Sequence, residues 1–422
     1  MSLVKIKLWG QTVGFTYWDH EDQCAIFQYD SDYLTKGCEI SPIMMPLSPK
    51  IYSFNTLSRD TFSGLPGLIS DSLPDAYGES LIGLWLKRNN IELYDFTPLD
   101  RLCYIGNRGM GALEYEPSME RESMNNEIDI DLLSSLADEI MKDRMKIDAK
   151  LTSDAISDLI KIGTSAGGMR AKAVVALNES TNDIRSGQID PPSGFTQWLL
   201  KFDTEDPAGK RKGYCRIEYA YHLMASECMI KMTECRLLEL GEKAHFMTRR
   251  FDRPGSEKVH IQTLCAMAHY DYKLPGKYSY EDVFKIIRKL EMPYDDSEQL
   301  FRRMVFNVIA RNCDDHTKNL AFMMKRGESW RLAPAYDITY AYNPSNKWIG
   351  RHQLSVNGKT DGITMNDLRH IGQRMNIRKV NEIIETIVTV VSEWKIYAKS
   401  VGIENSVIDT IEASLKKNID AM

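Results

Sequence analysis

The chain has 422 residues, with 53 Lys+Arg against 59 Asp+Glu and a formal net charge of −6. At 43% hydrophobic and 27% charged residues, it is not a disordered, collagenous or low-complexity protein. The length points to two or three domains, and the mildly acidic total gives no support to a bulk nucleic-acid binder.

Eight cysteines (Cys24, Cys38, Cys103, Cys215, Cys228, Cys235, Cys265, Cys313) contain no C-x-x-C pair. Neither a disulfide framework nor a structural zinc site is therefore expected. The N-terminus opens on the strand-like alternation Val4, Ile6, Leu8, with no signal-peptide pattern, and no apolar run approaches a membrane span. A soluble, cytoplasmic protein without membrane contact is expected.

In chain order, Val4 to about Tyr52 reads as short strands with turns at Gly10, Asp30-Ser31-Asp32 and Lys36-Gly37. Pro74-Asp75 starts a helix through Leu86, closed by the cations Lys87-Arg88. Gly106–Ala112 looks like a phosphate cradle but lacks a following lysine strand, so it is read as a turn. Pro117–Glu127 is a polar linker. Helices follow at Asp131–Met145 and Asp154–Ile162, then the flexible turn Gly163–Gly168. Ala171–Leu177 is expected as a strand, Ser180–Ser193 as a loop, Phe195–Phe202 as a strand and Tyr214–Met229 as an amphipathic helix. Helices are expected at Glu281–Leu290, Glu298–Arg311, Val380–Val401 and Asn405–Lys417. A hairpin of Asn319–Met324 and Trp330–Ile338 interrupts them. The fold class is α+β, strand-rich in the N-terminal half and helix-rich in the C-terminal half.

Chemistry concentrates in Arg311–Asn319, where a helix with an apolar face gives way to a run of hydrophilic residues. Such a cluster must be solvated, paired or metal-bound. Phosphoryl transfer needs a carboxylate to take the proton of the attacking hydroxyl, and oxygen ligands for Mg²⁺. Asp314 and Asn319 stand at the D-x-x-x-x-N spacing of a kinase catalytic loop, and Asp337, after the hairpin, takes the second ligand position. Upstream, Lys201 ends an apolar strand where its ammonium can meet phosphates, with Glu218 on the next helix as its partner. The adjacent glycines of Ser165–Lys172 let backbone N–H groups approach phosphate oxygens.

The ordered set resembles the HipA-type serine/threonine kinases, toxins of bacterial toxin–antitoxin modules. The resemblance rests on Phe62–Gly67, Asp71–Pro74, Ser165–Lys172, Leu199–Phe202, Arg250-Phe251-Asp252-Arg253, Asp314–Asn319 and Tyr336-Asp337-Ile338. It implies a kinase-like two-lobed fold with an extra N-terminal subdomain and an all-helical C-terminal lobe. The corresponding domains are 1–117, 128–250 and 251–422. It also implies ATP- and Mg²⁺-dependent protein phosphorylation, directed in known relatives at an aminoacyl-tRNA synthetase. The implied partner is a small DNA-binding, HipB-like antitoxin, with DNA met only through it.

Carried over residue by residue, the resemblance makes Asp314 the catalytic base, Asn319 and Asp337 the metal ligands, and Lys201 a phosphate holder. Gly167, Gly168, Met169, Arg170, Ala171 and Lys172 would form the phosphate loop. His316, Thr317 and Lys318 would complete the nucleotide-facing loop, and Arg249, Arg250 and Phe251 would line the adenine with Asp252 near the ribose. Ser165 would be the autophosphorylated serine, whose modification ejects the phosphate loop. Two positions depart from the pattern: Asp315 adds a negative charge, and Arg249 replaces an acidic residue. Competing readings are a lipid or small-metabolite kinase, a hydrolase holding metal through Asp314, Asp315, His316 and Asp337, and a non-catalytic partner of a DNA-binding antitoxin.

Overall fold

The computed structural model describes residues 3–92, 96–119, 130, 133–135, 137–138, 170–188, 191–205, 213–255 and 257–422. The expected helix at Asp154–Ile162 and the Gly163–Gly168 turn lie outside them, as does most of Asp131–Met145. The chain sorts into two compact units, each described by itself. The first comprises Met1–Ser41, Met45–Cys215 and Glu234–His260, and the second Pro42–Met44, Arg216–Thr233 and Ile261–Met422.

The first unit carries two five-stranded sheets. One uses β1 (Leu3–Leu8), β2 (Gln11–Asp19), β3 (Cys24–Tyr29), β4 (Tyr52–Ser53) and β5 (Leu113–Glu116), in the order β4-β3-β2-β1-β5. Alternation builds it as a two-period pattern should. Val4, Ile6 and Leu8 are buried, while Lys5 and Lys7 both reach Glu116 across the β1–β5 register. Asp30-Ser31-Asp32 and Lys36-Gly37, expected as turns, are instead the two ends of a helix, Ser31–Lys36. Asp30 caps it by accepting the N–H groups of Asp32 and Tyr33.

The second sheet uses β6 (Lys172–Asn178), β7 (Asp183–Ser186), β8 (Phe195–Lys201), β9 (Cys235–Leu240) and β10 (Lys243–Arg249), in the order β7-β6-β8-β10-β9. β7 falls inside the stretch expected as a loop and pairs with β6 from Val175↔Ser186 to Asn178↔Asp183. The β9–β10 hairpin, to which the sequence reading gave no element, turns at Gly241 with φ 57°.

The helix Ala76–Arg88 starts where Asp75 accepts the Gly78 N–H. Its Tyr77, Leu81, Ile82 and Leu86 share one core with Ala173, Val175, Trp198 and Leu200 of the second sheet. Leu133 and Ala137 join that core.

The second unit is helix-rich: Tyr280–Lys289, Tyr294–Ile309, Met365–Arg374, Val380–Ser392, Trp394–Ser400 and Asn405–Ala421. Tyr294–Ile309 starts earlier than expected because Pro293 fits the entry and Asp295 and Asp296 suit the positive end of the dipole. The expected Val380–Val401 helix breaks at Glu393. Among the remaining strands, β11 (His260–Thr263), β13 (Ala321–Met324) and β14 (Arg331–Leu332) form one sheet, and β12 (Tyr278–Ser279) pairs in parallel with β15 (Leu354–Ser355). The α+β expectation therefore holds.

Candidate active site

The site is assembled where the Tyr294–Ile309 helix stops. Arg311 takes a left-handed conformation at φ 55°, which ends the helix and starts the loop. Burial then alternates sharply. Asn312 and Cys313 are buried, the Asp314 side chain is 44% exposed, and Asp315 is buried again. Asp314 is thus a solvent-reaching carboxylate on an otherwise anchored loop. Asn319 Nδ2 donates to the Asp314 carbonyl at 2.8 Å, closing the loop across the D-x-x-x-x-N spacing. His316 Nε2 lies 3.8 Å from Asp314 Oδ1, and His316 packs on Tyr272 with ring centroids 5.4 Å apart. The Lys318 ammonium sits over the same Tyr272 ring at 5.0 Å.

Asp337 also adopts a left-handed conformation, φ 53°, in a segment held by the Tyr336 hydroxyl donating to the Lys318 carbonyl at 2.6 Å. A non-glycine residue there carries strain that the surrounding contacts must offset. His316, Asn319, Tyr336 and Asp337 line one cleft, so the loop and the post-hairpin aspartate meet within the second unit. Thr317 corrects the expectation of nucleotide contact. Its hydroxyl donates to the Tyr270 carbonyl at 2.6 Å and the residue is buried, so its side chain serves the loop's interior.

Behind the loop lies a polar chain that the sequence reading missed. Asp315 Oδ2 accepts the Tyr280 hydroxyl at 2.9 Å and faces His352 Nδ1 at 3.0 Å, while Oδ1 accepts the Gln353 N–H at 2.7 Å. Tyr280 accepts from Asn307 Nδ2 at 2.9 Å, and Asn307 Oδ1 accepts from Asn312 Nδ2 at 2.9 Å. Buried Arg303 also lines the cleft and donates to the Ala333 carbonyl at 2.6 Å. The available signal was Arg303 and Asn307 standing among apolar neighbours on a buried helix face.

Burial by itself lowers the His352 pKa, but the Asp315 carboxylate, seconded by Cys313, overrides it and raises the value from 6.5 to about 10. A folded value above the unfolded one means the pairing stabilises fully below pH 6.5 and is lost as pH climbs through about 10. Urea midpoints of the wild type are expected to fall over that window, and His352→Gln to flatten the slope. Identical slopes in the two proteins would show that the imidazole is not ionised in the fold.

The first unit holds the other expected residues. Lys201 ends β8 and is buried, its ammonium 5.7 Å from the Phe246 ring centroid. Its Cα stands opposite Lys172 in the β6–β8 register, so the two lysines share one face of the sheet. Lys172, expected in the phosphate loop, is instead turned to Asp75 at 2.9 Å, with only 2% of its side chain exposed. Arg170 stacks over Tyr214 at 4.4 Å, and the Ala171 carbonyl accepts the Phe202 N–H. Ser165, Gly167, Gly168 and Met169 lie outside the described residues. Glu218 is buried in the second unit, on the helix Tyr214–Glu227.

Arg249 is half-exposed and 3.6 Å from Glu234. Asp252 departs from the ribose expectation, because it is fully buried with its carboxylate occupied. It accepts Arg250 Nε at 2.9 Å and Nη2 at 2.5 Å, Arg253 Nη1 at 2.7 Å, and the Gly111 N–H at 2.9 Å. The Gly109 carbonyl accepts Arg253 Nη2 at 2.9 Å. The Gly106–Ala112 segment, set aside above as a turn, is therefore what the R-F-D-R motif holds.

An α+β scaffold bearing a D-x-x-x-x-N loop and a post-hairpin aspartate in one cleft defines the kinase-like class. The HipA-like C-terminal domain family matches residues 164–394, and the HipA N-terminal domain family matches residues 4–116. The chain belongs to the HipA family. It is 22% identical over 252 residues to a protein named putative kinase Y4dM from Sinorhizobium fredii (strain NBRC 101917 / NGR234), a match spanning 55% of this chain and 60% of that protein's length. Its fold matches a chain of the solved complex of HipA, HipB and operator DNA from the Shewanella oneidensis MR-1 toxin–antitoxin system. That match has TM-score 0.70 and 15% identity, and covers 99% of this chain and 96% of the other. Among the described residues, no helix is long and apolar enough to cross a membrane.

Proposed function

We propose that the chain is an ATP- and Mg²⁺-dependent serine/threonine protein kinase of the HipA toxin type, divided functionally at 1–117, 128–250 and 251–422. The observation that carries the reading is the closure of Asn319 onto the Asp314 carbonyl, with Asp337 lining the same cleft as Asn319. Asp314 accepts the proton of a substrate hydroxyl, and its exposure suits an incoming chain. Because Asn319 Nδ2 donates to the loop, its Oδ1 is left as the oxygen that would hold Mg²⁺ beside the Asp337 carboxylate. This hard-oxygen donor set fits that ion. Bound there, Mg²⁺ would supply neutralisation of phosphate charge. His316 Nδ1 is buried without a hydrogen-bond partner, as expected of a group awaiting a polar ligand.

Lys201 steadies the phosphates. Lys172 tethers the exit of the phosphate loop to Asp75. Ser165 is the site of autophosphorylation. The target is a protein, an aminoacyl-tRNA synthetase being the class that the resemblance implies, and the partner is a small DNA-binding antitoxin of the HipB kind.

Asp337→Ala is the direct test of the nucleotide site. Mg²⁺-dependent binding of a fluorescent ATP analogue should weaken at least about tenfold, as expected when a charged ligand of the ion is lost. Unchanged binding would remove Asp337 from the metal site. Incubation with labelled ATP and Mg²⁺, followed by mass spectrometry, should place phosphate on Ser165.

A further inference from the structure

We propose that Asp315 is a positioning residue: with His352 it forms a buried strut that fixes the catalytic loop, so that its loss slows turnover without weakening nucleotide binding. The proposal rests on the kinase reading of Asp314. Its warrant is geometric and lies wholly within the second unit.

Asp314 itself projects to solvent, so the loop must be held by its neighbours. On its N-terminal side, Asn312 Nδ2 is fixed to Asn307, and the Cys313 N–H donates to the Ala341 carbonyl at 3.0 Å. On its C-terminal side stands Asp315. Tyr280 at the start of one helix, and His352 and Gln353 on the segment entering β15, all converge on that one carboxylate. The Tyr280 hydroxyl closes the circuit, accepting from Asn307 while donating to Asp315. Asn312 and Asp315, on either side of Asp314, are thus tied to the same buried scaffold. The extra negative charge of Asp315 is met by His352 at 3.0 Å.

A buried carboxylate with three hydrogen-bond partners resists displacement. Removing its charge leaves His352 unpaired in a site only 7% exposed. Small displacements of a positioned catalytic group cost far more in rate than in substrate affinity. Asp315 lines the same cleft as Asn319 and Asp337, but its carboxylate is already taken up by Tyr280, His352 and Gln353, whereas Asn319 Oδ1 and Asp337 are the groups that the kinase reading gives to the nucleotide.

The test uses the full-length chain with Asp315→Asn, His352→Gln and the double variant. Asp315→Asn keeps the shape and one acceptor oxygen, which can still serve Tyr280 and His352, but it puts an NH2 group opposite the Gln353 N–H and leaves the imidazole without its carboxylate. It is expected to lower kcat per folded molecule by about tenfold or more, with KM for ATP within about twofold. Amide hydrogen exchange should quicken within 311–319 and not across the unit. The double variant, with a neutral amide at each position, should regain part of the lost rate, a coupling that a generally weakened fold would not show. An unchanged kcat per folded molecule would overturn the proposal, as would a parallel rise in KM or unaltered exchange within the loop. Should the wild type transfer no phosphate at all, the kinase reading fails by itself. The exchange measurement still decides whether the pair orders the loop.

Discussion

Asp314→Asn should abolish most phosphoryl transfer, lowering kcat by roughly 10²–10⁴-fold while Mg²⁺-dependent ATP binding stays within about twofold of the wild type. The asparagine keeps the volume and the loop's backbone closure, because the Asn319 bond is made to the Asp314 main-chain carbonyl. Only the proton acceptor is lost. Removing a group that acts in the transition state, but not in binding ATP, lowers kcat and leaves affinity alone. Labelled-ATP turnover beside equilibrium nucleotide binding separates the two effects. Lys201→Ala divides the rival readings further. A kinase loses rate with it, whereas a hydrolase built on Asp314, Asp315, His316 and Asp337 would be indifferent to a lysine on a β-strand. Retained transfer in Asp314→Asn would remove the base from its assigned place. Nucleotide binding without turnover in the wild type would favour a non-catalytic partner of an antitoxin.

What the sequence made legible follows from distance along the chain. Asp314 and Asn319 are five residues apart, and a spacing that short constrains geometry strongly enough to read. The alternation of Val4, Ile6 and Leu8 and the apolar face of the long helix before Arg311 are local in the same sense. Asp315 with His352, and Asp252 with Gly111, are partnerships 37 and 141 residues apart along the chain, and no periodicity marks them. The turn expected at Asp30 failed for another reason. Asp is as good an N-cap as a turn residue, and only the tertiary setting of Tyr33 decides between them.

Two further helix starts carry a local signal. Thr97-Pro98-Leu99-Asp100 and Thr364-Met365-Asn366-Asp367 each form a complete capping box in the structure. A Thr three residues ahead of an acid is a helix-start signal in its own right. Lys172 is expected in the phosphate loop only because it closes the stretch that holds Gly167 and Gly168, five and four residues upstream. Its strand register, which turns it toward Asp75, is set by β8.

Asp252→Ala should strongly destabilise the first unit, costing about 3–5 kcal/mol. The substitution deletes a carboxylate with 0% exposure that is shared by two guanidinium groups, Arg250 at 2% and Arg253 at 7% side-chain exposure. It also strips the Gly111 N–H of its acceptor. Breaking one side of a buried ion pair is expensive because the partner's desolvation is no longer offset, whatever the pair contributed net. Asp252→Asn, which keeps an acceptor but not the charge, should fall between the wild type and the alanine variant in urea melts.

The acid limb gives an independent reading of the same cage. Burial alone raises the Asp252 pKa, yet the two arginines and the Gly111 N–H hold it down at about 2, against an ordinary 3.8. With the folded value depressed, this stabilisation is present above 3.8 and is lost as pH falls through about 2, a shift equivalent to roughly 2 kcal/mol. The wild type should therefore lose stability over that window more steeply than Asp252→Asn. Limited proteolysis of the variants should open the 107–111 segment first, since Gly109 and Gly111 are tied to the cage through their backbone. Equal melting of all three proteins, with 107–111 still protected, would show that Asp252 does not anchor the segment and would reopen its assignment to a bound ribose.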